Sequence, residues 1–258
     1  MITSVANEKV KYVRSLYRRR VRYRERHFVI EGIRLVDEAL RAGIVPALVF
    51  YGEGANVTPG GRELLAKIQN GGAPAFAVSE TVMKALADTV SPQDVLAVVP
   101  FGELAPPSSP SLGLVVDGLR DPGNLGAILR SANAAGVEQV ILAPKTVDPY
   151  NPKVVRGAMG AHFRLPIVAL SWPEIAEILT DVQVLLADVR AEQSYYEVDW
   201  MRPSALIIGG EAFGASREAR ELAVATVAIP MQGRAESLNA AVAASVILFE
   251  AARQRQRL

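Results

Sequence analysis

The chain has 258 residues, half of them apolar, and its 28 Lys and Arg residues against 27 Asp and Glu residues give a formal net charge of +1. The absence of cysteine excludes disulfides, thiolate metal sites and cysteine nucleophiles. The start of the sequence is polar and charged, which predicts that there is no signal peptide. A membrane helix needs an apolar run of roughly 20 residues, and since the sequence has none we expect a cytoplasmic protein.

Positive charge is concentrated at the start of the chain. The first 26 residues contain nine Lys and Arg residues and only two acids, Glu8 and Glu25, with Tyr12, Tyr17 and Tyr23 interleaved. A nearly single-sign segment with aromatic side chains is typical of contacts with a phosphate backbone and unstacked bases; the alternative is a solvated helix face. The predicted RNA contacts are Lys9, Lys11, Arg14, Arg18, Arg19, Arg20, Arg22 and Arg34.

Strand and helix patterns alternate over the first hundred residues. We predict helices over about 7–17, 31–42, 62–69 and 80–87, and strands over about 27–30, 47–50, 75–78 and 95–101. Such alternation indicates an α/β layer fold.

The stretch 103–111 is the clearest linker. It holds three prolines and three serines in nine positions, which excludes a regular element. We therefore predict one domain at 1–102, a linker at 103–111 and a second domain at 112–258.

The second domain also alternates. Strands are predicted near 112–117, 138–143, 184–188, 205–209 and 226–229, and helices near 123–135, 152–161, 172–180, 216–223 and 237–254. The pattern alone favours an ordinary doubly wound parallel sheet, because knotted chains are nearly absent among proteins.

Three segments at predicted strand ends carry polar side chains, and Asp117–Arg130 is the first of them. A strand leads into a Gly- and Pro-rich turn and then a helix, which is where α/β proteins place their sites. Asn124 and Arg130 lie roughly one and a half helical turns apart, so we expect both to face one crevice. In the alternative interpretation Asp121 is only a helix cap and Arg130 only a solvated charge.

The other two segments follow later strands. In 207–216, glycines allow a ligand to approach backbone amides closely, and Glu211 adds a carboxylate; the alternative is a plain loop with a surface acid. In 227–239, Ser237 is the expected N-cap of a long apolar helix, and Asn239 stands in the first turn, where Asn is a poor helix former.

Together the three segments resemble the three sequence motifs of the SpoU (TrmH) branch of the SPOUT RNA methyltransferases. The first is similar to N-x-G-x-x-x-R through Asn124, Gly126 and Arg130. The second is similar to G-x-E-x-x-G through Gly209, Glu211 and Gly214. The third is similar to I-P-M-x-G-x-x-x-S-L-N through Ile229, Pro230, Met231, Gly233, Ser237, Leu238 and Asn239.

The resemblance implies a fold that periodicity does not predict. It implies an α/β protein whose C-terminal parallel sheet domain contains a trefoil knot, with a smaller N-terminal α/β/α sandwich that binds substrate. Residues 28–40 resemble the opening strand and helix of that sandwich. Residues 91–98 resemble its closing turn and strand, with Asp94 where Gly is usual.

The resemblance also implies S-adenosylmethionine-dependent 2′-O-methylation of a ribose in RNA, with 23S ribosomal RNA favoured, by a homodimer whose sites are completed across the interface. The apolar last helix could supply that contact or could equally be core. The implied cofactor-binding residues are Gly209, Gly210, Ile229, Met231 and Leu238. The implied catalytic residues are Arg130, Asn124, Glu211, Ser237 and Asn239.

This chemistry suits a chain whose two histidines, His27 and His162, are isolated and which shows no metal-ligand cluster. Arg130 is implied beside the 2′-hydroxyl, either as the group that assists deprotonation or, because Arg normally stays protonated, as an electrostatic stabiliser. The alternatives are a transfer RNA 2′-O-methyltransferase and a non-catalytic RNA-binding or ribosome-assembly protein on the same fold. A hydrolase using Ser216 or Ser237 lacks a His partner.

Overall fold

The computed structural model describes residues 1–89, 91–211, 214–233 and 236–256. The chain divides into two compact units. Unit 1 comprises Met1–Gly102 and Tyr150–Phe163, and unit 2 comprises Glu103–Pro149 and Arg164–Leu258. The helix predicted over 152–161 thus groups with unit 1, although the sequence placed it in the second domain. Among the described residues no helix is long and apolar enough to cross a membrane.

Residues before the linker form six helices and four strands among those described. The helices are α1 (Glu8–Ser15), α2 (Arg19–Glu25), α3 (Ile33–Arg41), α4 (Glu53–Val57), α5 (Pro59–Asn70) and α6 (Glu80–Leu86). The strands are β1 (His27–Glu31), β2 (Leu48–Tyr51), β3 (Ala75–Ala77) and β4 (Val95–Pro100), in the sheet order β1-β4-β2-β3. β4 pairs antiparallel with both β1 and β2, and β2 pairs parallel with β3.

Successive side chains of the unit 1 strands point to opposite faces of the sheet, and each face packs against its own apolar core. Phe28 and Ile30 of β1 pack with α3 and α5, where Val36 and Ile68 are fully buried. Val29 packs on the opposite face with residues of α1 and α6. Helices on both faces of one sheet make the expected α/β/α sandwich.

The basic segment forms two helices, of which the sequence predicted only the first. α1 ends at Ser15, and Leu16 turns its side chain into the core with no exposed surface. α2 then runs from Arg19 to Glu25 and is followed by Arg26 in the left-handed region, at φ 52°. The predicted helix, over about 7–17, thus corresponds to α1, and α2 was missed.

Residues after the linker form six strands and five helices among those described. The strands are β5 (Leu112–Asp117), β6 (Gln139–Leu142), β7 (Ile167–Ala169), β8 (Gln183–Ala187), β9 (Ser204–Gly209) and β10 (Ala225–Val227). The helices are α7 (Pro122–Ala134), α8 (Pro152–Ala158), α9 (Trp172–Ile178), α10 (Arg217–Leu222) and α11 (Ala240–Arg255). Two 3₁₀ turns are Ala161–Phe163 and Tyr195–Glu197.

Unit 2 is built on a fully parallel sheet in the order β10-β8-β9-β5-β6-β7. Its central strands β5 and β9 are continuous apolar runs, as expected for strands buried on both faces. The edge strand β7 has only three residues and was missed by the sequence prediction. Parallel pairing brings the carboxyl ends of β5, β8 and β9 to one edge of the sheet.

Helices α7 and α11 pack against each other, and the Ser245 hydroxyl donates a 2.7 Å hydrogen bond to Ser131 Oγ. The predicted start of α7 is confirmed, since the Asp121 carboxylate accepts from the Asn124 amide at 2.8 Å. The predicted start of α11 is wrong. Its N-cap is Asn239, whose Oδ1 accepts from the amides of Ala241 and Val242 at 2.8 and 3.3 Å, rather than Ser237.

Candidate active site

Three amide and carboxylate side chains from the three predicted segments meet in unit 2. Asn124 Nδ2 donates to Glu211 Oε1 at 2.6 Å, and Asn239 Nδ2 donates to Asn124 Oδ1 at 2.9 Å. Asn124 therefore uses both ends of its amide, and Asn239 uses its oxygen to cap α11. This chain of hydrogen bonds fixes the orientation of all three groups at the carboxyl edge of the sheet.

A cavity of about 550 Å³ opens beside these hydrogen-bonded side chains. Of the predicted site residues, it is lined by Gly209, Gly210, Glu211, Ile229, Met231, Ser237, Leu238 and Asn239. Its volume lies in the range of small-molecule sites. Eight of the ten residues in the predicted cofactor-binding and catalytic sets thus line one concave surface.

The glycines of the second segment, besides lining the cavity, stand where backbone packs closely on backbone. A Cβ on Gly209 would lie 2.6 Å from the Ala215 amide nitrogen, and one on Gly210 would lie 2.7 Å from the Gly118 carbonyl oxygen. Such distances force the backbone to shift. Gly209 therefore lets the turn after β9 fold closely on itself, and Gly210 lets that turn pack against the turn after β5.

Asp117 is a site residue that sequence reasoning missed. Its side chain is 4% exposed, and its Oδ2 accepts from the Ser216 amide at 2.6 Å. Ser216 in turn caps α10 by accepting from the Ala219 amide. A carboxylate as the last residue of an apolar strand was the available signal. Asp117 ties the first segment to the second.

A cluster of charges at the same cavity was also missed. Asp188, which directly follows β8, accepts from Arg190 through its backbone and guanidinium and from Arg220 Nη1 at 3.0 Å. The hydrogen bonds from Arg190, ahead of those from Arg220, hold the pKa of the Asp188 carboxyl well below its usual range despite partial burial. All three residues line the cavity, so this wall carries fixed charge.

The sequence predicted that Arg130 and Asn124 face one crevice, and this prediction is wrong. Six residues at about 100° each turn its side chain roughly 120° away around α7. Asn124 and Ser131 face α11, whereas Arg130 is exposed. Among the described residues no hydrogen bond or ion pair engages Arg130, and it lies outside the cavity lining.

The predicted RNA contacts in unit 1 are mostly on the surface. Lys9, Lys11, Arg14, Arg18, Arg19, Arg20 and Arg34 are exposed. Arg22 is the exception, at 3% exposure, and its Nη1 donates to the Leu16 carbonyl at 2.8 Å. The turn between α1 and α2 uses this guanidinium as a hydrogen-bond donor, so Arg22 does not present its charge to solvent.

Known proteins match both units. The model of the SpoU rRNA methylase family matches residues 111–249, more than half of the chain. The chain belongs to the SpoU rRNA methylase family. The model of an MRM3-like substrate binding domain matches residues 7–97. Membership implies that the C-terminal part of unit 2 forms the trefoil knot, against the general rule that chains are unknotted.

Relatives of established activity match over nearly the full length. The 23S rRNA (guanosine(2553)-2′-O)-methyltransferase RlmP of Bacillus subtilis is 34% identical over 251 residues, which cover 96% of this chain and 97% of that protein. The SpoU methyltransferase AviRb of Streptomyces viridochromogenes, solved with the cofactor AdoMet, superposes with a TM-score of 0.86 at 31% identity, covering 97% and 98% of the two chains. An AdoMet-bound rRNA methyltransferase from Sinorhizobium meliloti superposes with a TM-score of 0.85 at 32% identity, covering 98% and 97%.

Proposed function

We propose that this protein transfers a methyl group from S-adenosylmethionine to a ribose 2′-hydroxyl of ribosomal RNA, with 23S ribosomal RNA as the favoured substrate. The single observation that carries the proposal is the hydrogen-bonded chain Glu211–Asn124–Asn239 beside the cavity. Relatives that methylate 23S ribosomal RNA, and family members solved with S-adenosylmethionine, support it.

The cavity suits S-adenosylmethionine in size and in chemistry. Apolar side chains of Ile229, Met231 and Leu238 offer a surface for an adenine ring, and Gly209 and Gly210 add backbone to the lining. When bound, the cofactor supplies an activated methyl group, so the protein needs neither a metal nor a covalent nucleophile. Its remaining task is to align an oxygen nucleophile and assist loss of its proton.

Arg130 is the residue proposed to act on the acceptor. Its exposed guanidinium can hold the phosphate beside the target ribose bidentately and stabilise the forming alkoxide, which suits a group that stays protonated. Asn124, Glu211, Ser237 and Asn239 are proposed to orient the ribose. Since Arg130 points away from the cavity of its own chain, we propose that it serves the cavity of a second copy.

A homodimer gives Arg130 that second cavity. α11 exposes an apolar stripe in which Val242 is 48% and Phe249 is 50% exposed, while Ile247 is buried in the core. Val246 lies between them on the same face. A stripe of large apolar side chains on the helix that packs against α7 fits a contact between two copies of this chain.

Unit 1 is proposed to bind the RNA through its exposed basic residues, all those predicted except Arg22. Phosphate contacts of this kind give affinity and set register without reading sequence. A substrate of ribosomal RNA would place the protein where ribosomes are made, which for a bacterial cell is the cytoplasm. Transfer RNA remains the alternative substrate, and the match of unit 1 to a substrate-binding domain favours ribosomal RNA.

The proposal is tested by titrating the purified protein with S-adenosylmethionine in a calorimeter and by assaying transfer to ribosomal RNA and to transfer RNA. We expect saturable binding and 2′-O-methylation of ribosomal RNA. Absence of cofactor binding would instead favour a non-catalytic RNA-binding protein. Methylation of transfer RNA alone would keep the reaction and replace the substrate.

A further inference from the structure

The surface of α2 is almost purely cationic. Arg18, Arg19, Arg20, Arg24 and Arg26 are exposed along this short helix and its two ends. The acid within it, Glu25, is bonded to Arg24 at 2.8 Å, so its charge is offset locally. An anionic partner is therefore what this surface attracts.

The three tyrosines of the basic segment have different environments. Tyr17 donates its hydroxyl to the Leu86 carbonyl at 2.6 Å, and it packs with Tyr12 against the core shared by α1 and α6. Burial raises the pKa of both hydroxyls, and nearby carboxylates add to the effect. Tyr23 instead leaves 42% of its surface exposed among the arginines.

The Tyr23 ring rests on a fixed aromatic base. It meets Phe101 edge to face, with ring centroids 5.4 Å apart at 88°, and Tyr150 at 6.2 Å and 80°. Phe101 and Tyr150 are themselves stacked at 3.7 Å and 8°. Because its supporting rings are packed, Tyr23 can present its ring to a ligand with little loss of side-chain entropy.

Two arginines frame these rings. The Arg19 guanidinium lies 5.3 Å from the Tyr23 centroid, and that of Arg26 lies 5.8 Å from the Phe101 centroid. A guanidinium can stack on an aromatic ring or base and at the same time bind a phosphate. The group of Tyr23, Arg19 and Arg26 on Phe101 and Tyr150 is called the Tyr23 platform below.

We propose that the Tyr23 platform is a binding site for one unpaired nucleotide of the RNA, with its base on the Tyr23 ring and its flanking phosphates on the arginines. This rests on the proposed function, because it assumes an RNA substrate. Every base has a π-face, so the site selects single-stranded over paired RNA rather than one sequence. A bulge or loop beside the methylated ribose meets this requirement.

The test measures equilibrium binding of the full chain to a fluorescent single-stranded oligoribonucleotide and to a duplex of the same length. Tyr23→Ala is expected to weaken single-strand binding about ten-fold, the scale of losing one base-stacking contact, and to leave duplex binding within about two-fold. Tyr23→Phe and Tyr23→Trp are expected to retain affinity, because stacking needs the ring and not the hydroxyl. The matched control is Tyr196→Ala, because Tyr196 is a tyrosine of unit 2 that is 53% exposed.

Salt titration separates stacking from charge. Tyr23→Ala should keep the wild-type dependence of affinity on salt, since no phosphate contact is removed. Equal loss on single strand and duplex, or wild-type affinity of Tyr23→Ala for the single strand, would overturn the platform while leaving the proposed methyl transfer intact. Failure of the wild-type chain to bind either RNA would overturn both. Failure of Tyr23→Phe and Tyr23→Trp to restore an affinity lost in Tyr23→Ala would also count against stacking.

Discussion

The two units of this protein carry their functional groups in different ways. In unit 2, polar side chains 87 and 115 residues apart along the chain are joined by hydrogen bonds at the edge of a parallel sheet. In unit 1, a mixed sheet supports a short helix whose arginines lie next to one another in sequence. The first arrangement fixes distances between groups, as chemistry requires, and the second accumulates charge, as binding of a polyanion requires.

The difference predicts two kinds of mutational effect. Changes at the carboxyl edge of unit 2 should lower turnover or cofactor binding with RNA affinity retained. Changes on α1 and α2 should weaken RNA binding with turnover at saturating RNA retained.

Arg130→Ala should show the largest effect. Removing a positioned donor to developing charge costs about 10²- to 10³-fold in kcat, so we expect a loss of that size with S-adenosylmethionine affinity unchanged. Arg217→Ala, an 87% exposed arginine bonded to Glu221, is the control and should be indistinguishable from wild type. The measurement is single-turnover methyl transfer beside calorimetry. Near-native turnover of Arg130→Ala would remove Arg130 from the mechanism.

Gly210→Ala should act on the cofactor rather than on RNA. Its Cβ would stand 2.7 Å from the Gly118 carbonyl oxygen, so the turn after β9 must move. We expect cofactor affinity to fall about ten-fold or more, because overpacking of this kind costs roughly 1–3 kcal/mol. Gly60→Ala, where a Cβ meets no atom within 4 Å, is the control. Unchanged cofactor affinity in Gly210→Ala would mean that this turn does not shape the cavity.

Phe249→Glu tests the proposed dimer. Placing a charge on the exposed stripe of α11 should shift the protein toward monomer, measured by sedimentation, and lower turnover because Arg130 loses the second cavity. Val224→Glu, at an even more exposed apolar residue of unit 2, should leave the oligomeric state unchanged. A monomeric wild type with full activity would require Arg130 to act within its own chain.

Arg20→Gln should act only on RNA affinity. Loss of one phosphate contact is expected to reduce the slope of log affinity against log salt by about one and to leave kcat unchanged at saturating RNA. Arg217→Gln provides the control in the other unit. A fall in kcat without a change in slope would contradict the separation of the two units' roles.

Paired carboxylates in the two units should show the smallest effects. The pKa of Asp188 is lowered first by Arg190, and the pKa of Asp37 in unit 1 is lowered first by Lys67. A lowered folded pKa means that the stabilisation is present above the unfolded value, about 4, and is lost as the pH falls through the folded value. Asp188→Asn and Asp37→Asn should each cost about 1 kcal/mol of unfolding free energy at pH 7.

The measurement for these pairs is denaturant unfolding at pH 7 and below pH 4. The cost of each substitution should shrink progressively below about pH 4, where the unfolded carboxylates are protonated first, and should vanish only below the lowered folded pKa values. Asp188→Asn should in addition weaken cofactor binding, since Asp188 lines the cavity, whereas Asp37→Asn should not. Equal effects of both variants on cofactor affinity would mean that the charged wall has no specific role.

Local signals in the sequence predicted much of this structure. The N-cap at Asp121, the strand that begins at His27 and the apolar runs of β5 and β9 follow from residue pattern, and all are confirmed. The helix α2 was not predicted, because charge pattern does not show that Leu16 is buried in a core built by distant residues and so separates two helices. Gly32, at φ 101°, likewise starts α3 two residues later than the apolar spacing indicated.

Apart from Arg130, the sequence indicated which residues unit 2 brings together, but not their geometry. Motif spacing identified Asn124, Glu211 and Asn239, whereas their hydrogen bonds depend on the strand order of the sheet. Asp117 and Asp188 were missed because each is a single acid at a strand end, with partners that only the fold brings near. The direction of Arg130 was predicted wrongly, because six residues along a helix do not return to the same face.

The methyl transfer itself is measured by mass-spectrometric mapping of 2′-O-methylated riboses in RNA from cells with and without this protein. We expect one ribose in ribosomal RNA that is methylated when the protein is present and unmethylated when the protein is absent or carries Arg130→Ala. Identical maps in the three samples would contradict this expectation.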